Sequence, residues 1–219
     1  MKNDEKSIVR VPEPTLRRLP KYINLLEKLK RESVQFVSSN LISEELGLDS
    51  IQVRKDLALT GISGKPKLGF NLGELLQALY HTLNWDNSND AFLAGAGSLG
   101  SALLGYKTFK DYGLNIIAAF DVNPSLTGTK INETEILPID KLAEMITRMH
   151  VNIGVICVPA DEAQQIADLM VQGGIKAIWN FAPVHLKVPA GIIVENAQLS
   201  QSLGVLTHKL AERLKPNTK

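Results

Sequence analysis

A single cysteine, Cys157, stands in a chain of 219 residues. No intrachain disulfide can form, which excludes the disulfide-stapled scaffolds of small secreted domains. One lone thiol suits a reducing cytoplasm, the location expected here. The four histidines, His81, His150, His185 and His208, share no ligand-like spacing, so no structural zinc site is expected. Long hydrophobic runs are missing as well. Stretches such as Asn115–Phe120 and Ile153–Val158 fall far short of the ~20 residues that cross a bilayer, so no membrane partner is expected. Met1–Arg10 mixes charges without an apolar stretch and does not read as a secretory signal. A net charge of +1, with 44% hydrophobic and 21% charged residues, excludes collagen-like and disordered chains and leaves enough apolar material for a core. The length corresponds to roughly 1.5 average domains.

The small net charge conceals an asymmetry. Residues 1–70 hold 13 Lys+Arg against 9 Asp+Glu, and the remainder holds 11 against 14. A basic front on a mildly acidic rear suggests that only the front meets a polyanion, although a solvated face gives the same count.

Punctuation divides the chain into three pieces. Residues 11–80 read as several helices with a short Gly/Lys-rich insertion, and Leu83–Asp90 (LNWDNSND) reads as a loop. Residues 91–195 then alternate strand and helix patterns, the mark of a parallel sheet with crossover helices. The strand candidates are Ala91–Ala94, Ile116–Phe120, Ile153–Val158, Ala177–Phe181 and Ile192–Val194. Helices are expected near Gly100–Tyr112, Ile139–Met149 and Asp161–Gln172, the last capped by Asp161. A final helix begins near Leu199, with Leu199, Leu203, Leu206, Leu210 and Leu214 on one stripe. The expected boundaries are 1–82, 83–197 and 198–219.

Gly95-Ala96-Gly97-Ser98-Leu99-Gly100 fits G-x-G-x-x-G, directly after the apolar AFLA and before the helical SALLGYKTF. The first glycine permits a tight turn, the second lets a pyrophosphate approach the backbone, and the third lets helix and strand pack closely. A second strand ends in Asp121, 26 residues after Gly95, where a carboxylate reaches the adenosine ribose and repels a 2′-phosphate. NAD is thereby favoured over NADP; the plainer alternative is that Asp121 only caps the turn before Asn123-Pro124. Two further strand ends, at Pro159 and at Asn180-Phe181, open onto the carboxyl side of the sheet, where such folds bind ligands.

Dehydrogenase chemistry is hard to find. Tyr106 and Lys110 match Y-x-x-x-K, but on the helix directly after the glycine loop, where both side chains would project away from a hydride-transfer site. His185 lacks an identifiable partner in sequence, and some 110 residues leave no room for a substrate domain. Cys157, within an apolar strand, reads as inert packing. The chain is not expected to be an enzyme; a small NAD-dependent oxidoreductase is the alternative.

In the front piece, residues 37–50 read as a capped helix, a turn containing Gly47 and a second cap. Ser39 is expected to cap the first helix and Asp49 or Ser50 the second. Two helices joined so tightly form a helix-turn-helix, whose second helix enters the major groove of duplex DNA. That helix, Ser50–Thr60, offers Ser50, Gln52, Arg54 and Lys55, with Ile51, Val53 and Leu57 expected to face the core. Gly61–Phe70 suits a β-hairpin wing whose Lys65 and Lys67 touch phosphates, and equally a flexible loop. Arg17, Arg18 and Lys21 add to the positive field, and Pro20 kinks or restarts the first helix.

Taken together, these segments resemble the Rex family of redox-sensing transcriptional repressors. The resemblance rests on VPEPTLRRLPKYINLLEKL at 11–29, VSSNLISEELGLDSIQVRKDL at 37–57, GAGSLGSALLGY at 95–106, IIAAFDVNP at 116–124 and VPADEAQQIADLMVQGGIKAIWNFAPV at 158–184. It implies an α/β chain with a winged-helix DNA-binding domain, a Rossmann doubly wound sheet binding NADH and NAD⁺, and a homodimer exchanging its C-terminal helix. It also implies a repressor released from a palindromic operator when NADH binds. The resemblance places Gly95, Ala96, Gly97, Ser98, Leu99, Gly100 and Asp121 on the cofactor, with Pro159, Asn180 and Phe181 about the nicotinamide. Arg54 and Lys55 fall on the recognition helix and Lys65 on the wing. Ser98, residues 59–63 and Gln198 depart from the family's usual pattern. A regulator sensing another nucleotide ligand, such as coenzyme A, is the remaining alternative.

Overall fold

The computed structural model describes residues 10–197 and 199–214, which divide into two compact units at Asn87/Ser88. Gln198 and the first nine residues lie outside the described part, as does the side chain of Leu199.

The first unit opens with α1 (Glu13–Leu16) and α2 (Leu19–Arg31). Pro20 occupies the first turn of α2, where its missing N–H has no intrahelical role, so it restarts the helix. Lys28, Lys30 and Arg31 in the last turn complement the helix dipole. A short strand, β1 (Phe36–Val37), leads into α3 (Ser39–Leu46). The cap of α3 is Ser38 rather than Ser39: its Oγ accepts the Leu41 N–H at 3.1 Å. Gly47, with φ of +60°, ends α3 in the left-handed conformation that glycine adopts without a Cβ penalty. Then Asp49 caps α4 (Ser50–Ala58), accepting the N–H groups of Ile51 and Gln52, both at 2.9 Å.

The stretch after α4 is a tight hairpin. Lys65 N–H donates to the Gly69 carbonyl at 2.7 Å and Gly69 N–H returns to Lys65 O at 2.9 Å. Gly69 has φ of +86°, and a Cβ there would collide with the Val37 carbonyl, so glycine is required where the wing passes β1. The chain then enters β2 (Phe70–Asn71), antiparallel to β1, and α5 (Leu72–Thr82). Leu19, Tyr22, Leu26, Val53, Leu57 and Leu75 are fully buried at the centre of this unit.

The second unit is a seven-stranded sheet in the order β5-β6-β4-β3-β7-β8-β9. Its strands are β3 (Asn89–Ala94), β4 (Leu114–Asp121), β5 (Lys130–Ile131), β6 (Thr134–Pro138), β7 (Ile153–Ile156), β8 (Ala177–Asn180) and β9 (Ile193–Asn196). All neighbours are parallel except β5 with β6. The first strand of the unit, β3, lies between β4 and β7, so the order reverses there and a crevice opens beyond the carboxyl ends of β3 and β7. This is the doubly wound arrangement expected.

Helices α6 (Ser98–Leu104), α7 (Leu142–Met149) and α8 (Ala163–Gly173) make the crossovers. Alternation along β3 sends Phe92 and Ala94 to the layer packed by α7 and α8, and Ala91 and Leu93 to the layer shared with Leu103 and Leu104 of α6. A 3-10 helix, Lys107–Tyr112, follows α6, so the single helix expected over 100–112 is two pieces split at Gly105-Tyr106. The cap of α8 is Glu162, in helical conformation and without a side-chain cap bond, not Asp161. Two strands, β5 and β6, were not expected. They form a hairpin whose turn residues Asn132 and Glu133 both have positive φ.

The last helix, α9 (Leu199–Leu214), is exposed along its length, with Leu203, Leu206, Leu210 and Leu214 between 52% and 71% accessible. No helix among the described residues is long and apolar enough to cross a membrane.

Candidate nucleotide crevice and nucleic-acid interface

The crevice is built around the glycine turn. Gly95 has φ of +96°, and a Cβ there would lie 2.7 Å from the Cys157 carbonyl oxygen, so only glycine lets β3 turn beside β7. A Cβ on Gly100 would fall onto the Gly95 carbonyl, which fixes the third glycine by packing. A Cβ on Gly97 would meet nothing within 4 Å. Steric crowding explains two glycines, and open space remains at the middle one. Gly97 is also the N-cap of α6 and offers no side-chain acceptor, leaving first-turn N–H groups for an anion.

Asp121, at the end of β4, closes the turn. Its Oδ2 accepts the Ala96 N–H at 2.7 Å, and its Oδ1 accepts the Asn123 N–H at 2.8 Å. The turn-capping alternative is therefore realised, and a tie to the glycine loop is added to it. Each carboxylate oxygen keeps a second lone pair, so ribose hydroxyls can still donate to it. A cavity of about 240 Å³ lies here, lined by Gly95, Gly97, Asp121, Cys157, Val158, Pro159 and Glu162 among others. A second cavity of about 440 Å³ shares Asp121, Val122 and Ile139 with it and continues over Pro124 and Pro138. Val122, Ile139, Glu162 and Ile166 were not anticipated, because they stand on connections whose course a local pattern does not give.

Ala96 is buried and gives its N–H to Asp121, whereas Ser98 is exposed at the start of α6 and Leu99 is half-buried. Two expected ligand residues play other parts. Asn180 is fully buried, its Nδ2 donating to Ala182 O, Val184 O and Asn196 Oδ1 while its Oδ1 accepts the Ala182 N–H. A carboxamide so committed shapes the loop after β8 and does not line either cavity. Phe181 packs on Trp179 with ring centroids 4.7 Å apart and likewise lies outside the lining. Pro159 does line the crevice.

Cys157 follows β7 instead of lying within it, and its half-buried side chain lines the crevice. Burial pushes its thiol up to about 12. Tyr106 and Lys110 are exposed on the outer side of the 3-10 turn and line a different cavity, near Leu114 and Asn132.

In the first unit, α4 divides its residues by helical period. Val53, Asp56 and Leu57 are buried, while Arg54, Lys55 and Ala58 are exposed and Ser50 is half-exposed. Ile51, expected in the core, is 54% exposed, because the helical period puts it on the face of Arg54, Lys55 and Ala58 and not on that of Val53 and Leu57. Lys65 and Lys67 are exposed on the wing.

Arg18 is not available to a phosphate. Its Nε and Nη2 donate to the two oxygens of Asp56 at 2.7 and 2.8 Å, a bidentate pair joining α2 to α4. Asp56 also accepts from Thr15 Oγ1 at 3.0 Å, Tyr22 Oη at 2.7 Å and Gln52 Nε2 at 2.9 Å. Burial alone would raise the Asp56 carboxyl, but these donors outweigh it and bring it down to about 2. Gln52 is thus tethered through its amide nitrogen, and Arg17, at the helix surface, pairs with Glu13 at 2.8 Å. Sequence alone could not separate Arg17 from Arg18, since the partner of Arg18 lies 38 residues away.

Residues 10–58 match the family model described as putative DNA-binding protein N-terminus, and residues 86–184 match the CoA binding domain model. The redox-sensing transcriptional repressor Rex of Bacteroides thetaiotaomicron is 45% identical over 92% of this chain and 91% of its own length. The chain belongs to the Rex family. Rex of Caldanaerobacter subterraneus is 41% identical over 90% of this chain and 88% of its own. Among solved Rex-family structures, RSP in complex with β-NAD⁺ and operator DNA superposes with a TM-score of 0.86 at 39% identity, covering 96% of this chain and 99% of that one. RSP with β-NADH gives 0.84, covering 93% and 95%. These Rex relatives are repressors and not enzymes, in line with the placement of Tyr106 and Lys110 outside the crevice.

Proposed function

We propose that this chain is a cytoplasmic transcriptional repressor that binds a palindromic operator and is released when NADH fills the crevice of its second unit. The observation that carries this reading is the coexistence in one chain of an exposed cationic helix face and a glycine turn left sterically open at Gly97. Gly97, Ser98 and Leu99 take the pyrophosphate on a turn that Gly95, Ala96 and Gly100 shape, Asp121 takes the ribose, and Pro159 the nicotinamide end. Arg17, Ser50, Arg54, Lys55, Lys65 and Lys67 meet the duplex. Asn180 shapes the loop after β8 and Phe181 packs on Trp179, so neither is assigned to the cofactor.

NADH shifts the repressor only by its preference for the form that does not fit DNA. A swing from 99:1 to 1:99 requires about 10⁴-fold differential affinity, or about 5.5 kcal/mol over both protomers. A gel-shift titration at several NADH:NAD⁺ ratios and fixed salt tests this. NADH should weaken operator binding and NAD⁺ should not; an unaltered dissociation constant would overturn the reading.

The match of residues 86–184 to a CoA binding domain model favours a second ligand, coenzyme A. Its 3′-phosphate would meet the Asp121 carboxylate, an unfavourable like-charge contact. Coenzyme A should therefore leave operator affinity unchanged in the same assay.

Dimerisation is part of the proposal. The apolar stripe of α9 is exposed within one chain and is covered when the helix is exchanged with a second copy. Removal of residues 199–219 should give a monomer by sedimentation, with operator affinity lowered by at least tenfold because two half-sites no longer bind together. A stable dimer from that truncation would defeat the exchange.

A further inference from the structure

Ile51 is the one large apolar side chain of α4 that is exposed. Val53 and Leu57 are completely buried, yet Ile51 is 54% exposed in the first turn. It lies on the same helix face as Arg54, Lys55 and Ala58, three, four and seven positions on, all exposed. Arg54 Nε donates to the Ser50 carbonyl at 3.3 Å, so the guanidinium lies back along the helix towards Ile51. Two cations thus flank one branched apolar side chain at the end of the helix that enters a major groove first. Isolated exposed apolar residues are common on protein surfaces and need no partner. This one is set apart by its place on a cationic face, where the partner is a polyanion that carries apolar groups of its own.

Duplex DNA offers one such group at the floor of the major groove, the 5-methyl of thymine. We propose that Ile51 is a specificity-determining residue that packs on a thymine methyl in each operator half-site. The inference rests on the DNA-binding reading above. Arg54 and Lys55 supply charge, and Gln52 is drawn inward by Asp56, so no other residue on the exposed face of this first turn presents a large apolar surface. The contact discriminates thymine from cytosine and from uracil without a hydrogen bond.

The test uses the full chain and a palindromic duplex that the purified protein selects from a random-sequence pool. Thymines are replaced by deoxyuridine in symmetric pairs, which deletes only the methyl groups. One pair should weaken binding about fourfold per half-site, hence about fifteenfold overall. Ile51→Ala should bind the all-thymine duplex more weakly by a similar factor and lose less than twofold on the same replacement. Ile51→Val should retain part of the penalty. Ile51 is exposed and alanine favours helix, so the circular dichroism spectrum should be unchanged. If every deoxyuridine replacement affects the native protein and Ile51→Ala equally, Ile51 reads no methyl and the proposal falls while DNA binding stands. If the pool yields no preferred duplex at all, the DNA-binding reading itself fails, and this inference with it.

Discussion

Replacing Asp56 with alanine should destabilise the first unit by about 3 kcal/mol and abolish operator binding while leaving nucleotide binding intact. The substitution removes one acceptor but strands four donors: the Arg18 guanidinium, the Tyr22 and Thr15 hydroxyls and the Gln52 amide. Losing one partner of a buried ion pair has a larger effect than the pair's net contribution, because the other charge is left without compensation. Arg17→Ala, which removes an exposed pair one turn from its neighbour Glu13, should change stability by less than about 1 kcal/mol. Urea unfolding followed by circular dichroism measures the first effect, and calorimetric NADH titration verifies that the second unit is untouched. The same carboxylate sets an acid limit. Its pKa in the folded chain, about 2, lies below the ordinary value of 3.8, so its contribution is fully present above about pH 4 and is lost as the pH falls through 2. Asp56→Asn should flatten that part of the acid-unfolding profile.

The glycine turn gives a second large effect of opposite character. Gly97 has φ of −64°, an ordinary value for any residue, and its Cβ position is empty. Gly97→Val should therefore leave the melting temperature nearly unchanged yet weaken NADH binding by roughly 100-fold, the loss of two charge-assisted hydrogen bonds to phosphate. Gly100→Val should instead destabilise the second unit, because its Cβ would occupy the place of the Gly95 carbonyl oxygen. Calorimetric titration and thermal unfolding on both variants separate the roles. If Gly97→Val bound NADH normally, the pyrophosphate would have to lie elsewhere.

Much of this architecture was legible locally. The glycine spacing, the caps at Asp49 and the restart at Pro20 each follow from the chemistry of a few adjacent residues, and each stands within a residue or two of its expected place. Ser38 against Ser39 and Glu162 against Asp161 are one-residue shifts at helix ends, where competing caps are nearly equivalent. What sequence did not give depends on distant partners. Arg18 reads as a surface cation until Asp56 is brought beside it, and Asn180 reads as a ligand group until the loop after β8 folds back onto its amide. The β5–β6 hairpin was hidden for another reason. Its turn places Asn132 and Glu133 at positive φ without glycine, so the usual turn signature is missing.

Cys157 gives the crevice one further property. Burial pushes its thiol up to about 12, so the neutral form prevails at pH 7. A half-buried neutral thiol packs as a small apolar group. That wall of the crevice is therefore set by the size of one sulfur atom, and it offers an incoming ligand van der Waals contact in place of charge.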